Sequence, residues 1–133
     1  LPILAKNVFP GQKNTLDALC ERFSINITDI SYMFSNCGVD VLDISGINLT
    51  GFTGNAQNMF EACPNLTTIY TAVGTDWTGE NFSSANNMFN NSPNLVGGNG
   101  TTYDSSHVKK EYACVDGLDG KNGYFTVENE EEP

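Results

Sequence analysis

The chain has 133 residues, of which 39% are hydrophobic and 17% charged, and it carries a formal net charge of −10. That length suits one domain able to bury a core without disulfides, and the charge argues against nucleic acid or anionic membrane as partners, since no basic patch exists to release counterions. No apolar run approaches the roughly 18 residues of a membrane span, and LPILAKNVF lacks a signal peptide's charged start and long apolar segment. With no initiating Met, residue 1 reads as a processed or excised start, in which case any export signal or anchor would lie outside this sequence.

Residues 1–26 form an N-terminal segment. Within it Asn14-Thr15 caps a short helix whose Leu16, Leu19, Cys20 and Phe23 share one face by i, i+3, i+4, i+7 spacing, with Asp17 in the first turn suiting the helix dipole. Its expected role is to cover the exposed apolar end of the first repeat; the alternative is a further repeat cut short.

Residues 27–104 repeat. Met33-Phe34, Met59-Phe60 and Met88-Phe89 recur at separations of 26 and 29 residues inside longer matching stretches, Ile27–Ser45, Thr53–Thr71 and Phe82–Gly98. Ile30, Ala56 and Ala85 align before the Met, Cys37, Cys63 and Ser92 after it, and then Val39, Leu66 and Leu95. A period of that size marks stacked units, each covering an apolar side with its neighbour. Pro64-Asn65-Leu66 and Pro93-Asn94-Leu95 stop any helix at the preceding Cys or Ser. Each unit therefore predicts a short helix bearing Met-Phe, a break, and a short strand such as Val39–Ile44 or Leu66–Thr71, in which Leu42, Ile44, Ile69 and Thr71 face inward at period two. Met33, Phe34, Cys37, Met59, Phe60, Cys63, Met88 and Phe89 are the expected structural ladder. The fold class predicted is α/β, with about three coils pairing their strands in a parallel sheet.

The repeat I/A-x-x-M-F-x-x-C/S-P/G-N-L-x-x-I resembles the BspA-like leucine-rich repeats of bacterial surface proteins, and LTTIYTAVGTDW, LVGGNGTTYD and YACVDGLDGKNGYFT resemble that family's terminal repeat and C-terminal cap. The resemblance covers roughly Ile27 to Thr126. It departs at Ser92, which replaces the repeat's cysteine, and at the shortened stretch after Cys37. It implies a leucine-rich-repeat-like solenoid at the cell surface or outside the cell, active in adhesion.

Residues 105–127 are the expected C-terminal cap. Asp116-Gly117 and Asp119-Gly120 are turn dipeptides and Gly123–Val127 a strand, together a hairpin closing the last coil. Residues 128–133 are an acidic tail, the whole chain being one domain.

No catalytic residue is assigned. His107 lies in a polar stretch with Ser105, Ser106 and Lys109, and reads as a surface residue. No metal site or cofactor is expected, because C-x-x-C is absent and Asp116, Asp119 and Asn122 fall three apart where calcium loops need two. Cys37 and Cys63 read as stacked thiols with a bridge between them as the alternative, and Cys20 and Cys114 as too distant to pair. Asn-x-Ser/Thr sequons at Asn26, Asn48, Asn65, Asn81, Asn90 and Asn99 are turn chemistry in a bacterial product and glycosylation sites in a eukaryotic secreted one.

The expected ligand face is the outward side of the strands, Val41, Asp43, Thr68 and Tyr70, with Tyr103 near its end. The function expected is a non-catalytic extracellular module that binds a protein or glycan. The alternative is a spacer or C-terminal capping region of a longer surface protein.

Overall fold

In the computed structural model, which describes residues 28–127, each Met-Phe segment is held by its neighbour's backbone more than by its own. Ile30, Tyr32, Phe34 and Asn36 donate their N–H groups to the carbonyls of Asn55, Gln57, Met59 and Glu61 at 2.8–3.1 Å. Ala56, Asn58, Phe60 and Ala62 donate in the same direction to Ser84, Asn86, Met88 and Asn90. An α-helix would need those N–H groups for carbonyls four residues back in the same segment. The two demands are incompatible, and the backbone angles record which one prevails. Tyr32, Asn36, Asn58, Ala62, Asn87 and Asn91 all have φ between 54° and 60°, and left-handed residues four apart end a right-handed helix within a turn. Local bonds close tight turns instead, such as Met33 N–H to Ile30 O and Ser35 N–H to Tyr32 O.

The helix expected in every coil is therefore absent. Among the described residues only two single 3₁₀ turns occur, Lys110–Tyr112 and Leu118–Gly120. The leucine-rich-repeat-like solenoid of three helix-plus-strand coils is corrected to an open parallel sheet flanked by stacked turns. The predicted capping helix at 14–23 lies outside the described residues.

The sheet has three short strands, β1 (Val41–Asp43), β2 (Thr68–Thr71) and β3 (Phe125–Val127), in that spatial order. Both pairings are parallel. Val41, Leu42 and Asp43 face Thr68, Ile69 and Tyr70, and Ile69, Tyr70 and Thr71 face Phe125, Thr126 and Val127.

Only two of the three repeats thus contribute a strand. In the third, Val96 meets Thr102 in an antiparallel bridge and Gly97 donates its N–H to Thr101 O, so the chain turns away. β3 fills the vacated place beside β2, which replaces the expected C-terminal hairpin with a parallel edge. Two glycines permit the approach. A Cβ at Gly97 would overlap the carbonyl oxygen of Gly123, and one at Gly123 that of Cys114, and only glycine allows backbones so close.

Packing follows the repeat. Met33, Met59 and Met88 are buried, and the rings of Phe34, Phe60 and Phe89 lie parallel in a column with centroids 5.4 Å apart at each step. Leu42, Ile44, Ile69 and Thr71 point into this core, and Phe125 of β3 meets Phe60, Phe89 and Trp77 edge-on. Polar residues stitch the repeats together. Asp29, Asn55 and Ser84 each accept the N–H two residues ahead, the Asx and Ser turns that favour these residue types. The asparagines of Pro-Asn-Leu reach back to the preceding repeat, Asn65 to Gly38 O and Asn94 to Pro64 O.

Candidate functional site

The residues predicted to form a ligand face fall on adjacent strands. Val41 sits beside Thr68, and Asp43, Tyr70 and Thr126 form one row across the sheet. Val41, Thr68, Tyr70 and Thr126 are half-buried. Asp43 is only 3% exposed, and its Oδ1 accepts the Ser45 N–H at 3.0 Å, so it fixes the turn leaving β1. Tyr103 lies elsewhere, stacked on Tyr124 in the C-terminal region, where its hydroxyl accepts the Asn91 N–H.

The expected ladder residues are interior. Cys63 donates its thiol proton to Phe34 O at 3.1 Å, and one repeat on the Ser92 hydroxyl donates to Phe60 O at 2.6 Å while accepting the Cys63 N–H. A thiol and a hydroxyl thus make the same inter-repeat bond. Cys37, Cys63 and Cys114 are free and buried. Burial pushes the thiols of Cys63 and Cys114 above the usual cysteine range, with the Asp76 carboxylate adding to the rise at Cys114, and a thiol held protonated is a poor nucleophile.

The C-terminal region is organised by one carboxylate. Asp116 accepts the N–H groups of Asn99, Thr101 and Gly123 and the Thr101 hydroxyl, at 2.8–3.2 Å. Burial opposes its ionisation, but the bonds from Thr101, Gly123 and Asn99 outweigh burial and hold it below the usual carboxylate range. Tyr124, whose hydroxyl donates to His107 O, is pushed up to about 12 by burial. His107 stacks on Tyr112 with ring centroids 4.6 Å apart, and faces Glu111 at 3.4 Å and Asp104 at 3.9 Å. Among the described residues no group of three or more His, Cys, Asp or Glu side chains converges to hold a metal, and no helix is long and apolar enough to cross a membrane.

Sequence reasoning missed a cleft. Parallel pairing sends the chain out of β1 and β2 at the same edge of the sheet, and the two departing segments, 45–50 and 72–77, enclose an open cleft of about 480 Å³. Its lining is mostly hydroxyl, amide and glycine, from Ser45, Gly46, Asn48, Thr50, Gly74 and Thr75, with Ile47, Val73 and Trp77 as apolar lining residues. Val73 is 82% exposed and Trp77 only 4%. Asp76 also lines the cleft, but its carboxylate is engaged by the Thr78 N–H and hydroxyl and by the Lys121 ammonium. Burial opposes its charge, and these partners prevail and lower it. The signal in the sequence was the pair of turns that succeed the strands, Ser45-Gly46 and Val73-Gly74.

No family model and no solved structure matches the chain. DNA polymerase III subunit epsilon of Buchnera aphidicola subsp. Baizongia pistaciae (strain Bp) is 60% identical to it over 25 residues, 19% of this chain and 10% of that protein. The stretch shared is a tenth of the relative's length, and a run so short is below the size of a domain.

Proposed function

We propose that this chain is a non-catalytic binding module of a bacterial surface protein, engaging an extracellular protein or glycan through its sheet face. The observation that carries this reading is the register. Val41 beside Thr68 and Tyr70 beside Thr126 set half-exposed side chains on neighbouring strands, a compact array with one aromatic anchor of the kind that dominates binding energy. Placement at a bacterial surface draws on the repeat's sequence resemblance alone.

Three strands of three or four residues present far less than the roughly 800 Å² a specific interface needs per partner, so the affinity expected is modest unless neighbouring loops join in. The test is saturable binding of the full chain to immobilised matrix proteins and cell-surface glycans. Thr68→Ala with Tyr70→Ala is expected to abolish it without changing the circular dichroism. Asp43 is unsuitable for this purpose, because removing it leaves the Ser45 N–H without its acceptor. Absence of saturable binding by the unaltered chain overturns the reading. It would favour the second one, a structural spacer, which draws support from a ladder in which the first repeat donates N–H groups to the second and the second to the third, in the same direction.

A further inference from the structure

We infer that the cleft between residues 45–50 and 72–77 is a binding site for a neutral saccharide, whose hydroxyls exchange hydrogen bonds with Ser45, Asn48 and Thr75 while its apolar face rests on Val73. This rests on the binding-module reading and specifies where a glycan would sit. A volume of about 480 Å³ falls within the range of small-ligand sites.

The lining chemistry selects the ligand class by elimination. An anion meets no unpaired cation among the lining residues, since the nearby Lys121 is committed to Asp76, and the chain as a whole carries −10. A cation finds the lining carboxylate, Asp76, already satisfied by Thr78 and Lys121. A nucleobase or other flat ring finds no stacking platform, because Trp77 exposes only 4% of its surface. What remains on offer is a set of groups that both give and take protons. The Thr75 hydroxyl donates to Ala72 O and keeps its lone pairs, and Asn48 spends its carbonyl oxygen on the Thr50 N–H and keeps its amide donors.

A second, independent observation comes from Ser45. Its hydroxyl is buried at the cleft wall and has no hydrogen-bond partner. A buried polar group in that condition destabilises the fold, whereas most such groups are paired. Rotation about one side-chain bond gives Oγ other staggered positions, and Ser45 lines the cleft, so a position opening on it would expose the hydroxyl to a ligand. A ligand hydroxyl would then supply the missing partner.

Trp77 is the chain's single tryptophan and lines the cleft, so its fluorescence is a probe of occupancy there, and the Ser45 and Val73 variants tie any change to the cleft. The experiment titrates the full chain with cellotriose, maltotriose, N,N′-diacetylchitobiose and N-acetyllactosamine, together with inorganic phosphate and a neutral tripeptide, Gly-Ser-Gly. A saturable change with at least one saccharide is expected, and none with phosphate or the tripeptide. Ser45→Ala is expected to weaken that binding about fivefold, the worth of one neutral hydrogen bond, while leaving the melting temperature unchanged or raised. A merely structural serine would give the reverse, a lowered melting temperature with unaltered affinity. Val73→Ser, at an exposed position, is expected to weaken binding about twofold or more with no effect on folding. No fluorescence change with any saccharide, or equal affinity in Ser45→Ala, overturns the inference. Where the chain still binds an immobilised partner through Thr68 and Tyr70, only the cleft assignment fails; where it binds nothing by either measurement, the binding-module reading fails with it.

Discussion

The two long sides of this molecule obey the same repeat but end differently. Along the Met-Phe side, the first segment donates to the second's carbonyls and the second to the third's, and three phenylalanine rings stack at equal spacing. Along the strand side the repeat supplies β1 and β2 and then stops, and a strand from the far end of the chain, β3, completes the sheet. The Met-Phe side needs only an apolar pair and a left-handed residue at fixed offsets, which all three repeats retain. The strand side needs an extended run, and Val96-Gly97-Gly98 does not provide one, because Gly97 is bound back to Thr101. Stacking and strand pairing are thus separable properties of one repeat, and the third repeat keeps only the first.

Substitutions can be ranked by how severely they test that separation. Phe60→Ala removes the middle ring of the column and is expected to cost the most, about 4 kcal/mol, read by urea denaturation; a cost under about 1 kcal/mol would mean the column is incidental to stability. Gly123→Ala attacks the strand side by forcing a methyl group against Cys114 O. It is expected to cost about 3 kcal/mol and to loosen the Ile69 and Thr71 amides, which alternate toward β3, in hydrogen exchange before those of Phe34 and Phe60.

Asp116→Asn comes next, at about 2 kcal/mol, because it weakens charge-assisted bonds that hold the 97–101 turn to the β3 approach. It also has a pH signature. The folded Asp116 carboxyl is held below its ordinary value, so its contribution is complete above about pH 4 and is lost as the pH falls through the lowered value. Thermal melts across the acid range should show a shallower acid limb in Asp116→Asn, and an unchanged limb would assign acid sensitivity to other groups. The smallest effect expected is at Ser92. Ser92→Ala should cost about 1.5 kcal/mol by orphaning Phe60 O and the Cys63 N–H, while Ser92→Cys, which restores the residue type of the other two repeats, should cost less than Ser92→Ala in the same denaturation series.

Much of this is legible in the sequence, and the remainder is hidden for identifiable reasons. The spacing of Met-Phe locates the interior, and period-two alternation places Leu42, Ile44, Ile69 and Thr71 on the buried side of the strands. The helical expectation fails because Ile30, Met33, Phe34 and Cys37 fall at i, i+3, i+4, i+7, which marks a helical stripe and, here, a run of tight turns equally well. The discriminating sign is asparagine. Asn36, Asn58, Asn87 and Asn91 occupy left-handed positions, and asparagine tolerates them several-fold better than most residues. Replacement of the third strand by β3 is invisible locally, since it depends on contact between Gly97 and Gly123, far apart in the chain. On the proposed binding face, alternation sets Asp43 opposite Leu42 but cannot reveal that its carboxylate accepts the Ser45 N–H and lies buried at the turn. The cleft escapes a reading by pattern because it belongs to segments after the strands, where no periodicity exists.

Through-space proton NMR of the full chain tests the separation of the two sides most directly. Contacts from the Phe60 ring to both Phe34 and Phe89 are expected, together with backbone contacts between Tyr70 and Thr126. Contacts from the Tyr70 backbone to residues 97–100 in place of Thr126 would mean that the third repeat carries its own strand, and would contradict the separation of stacking from strand pairing.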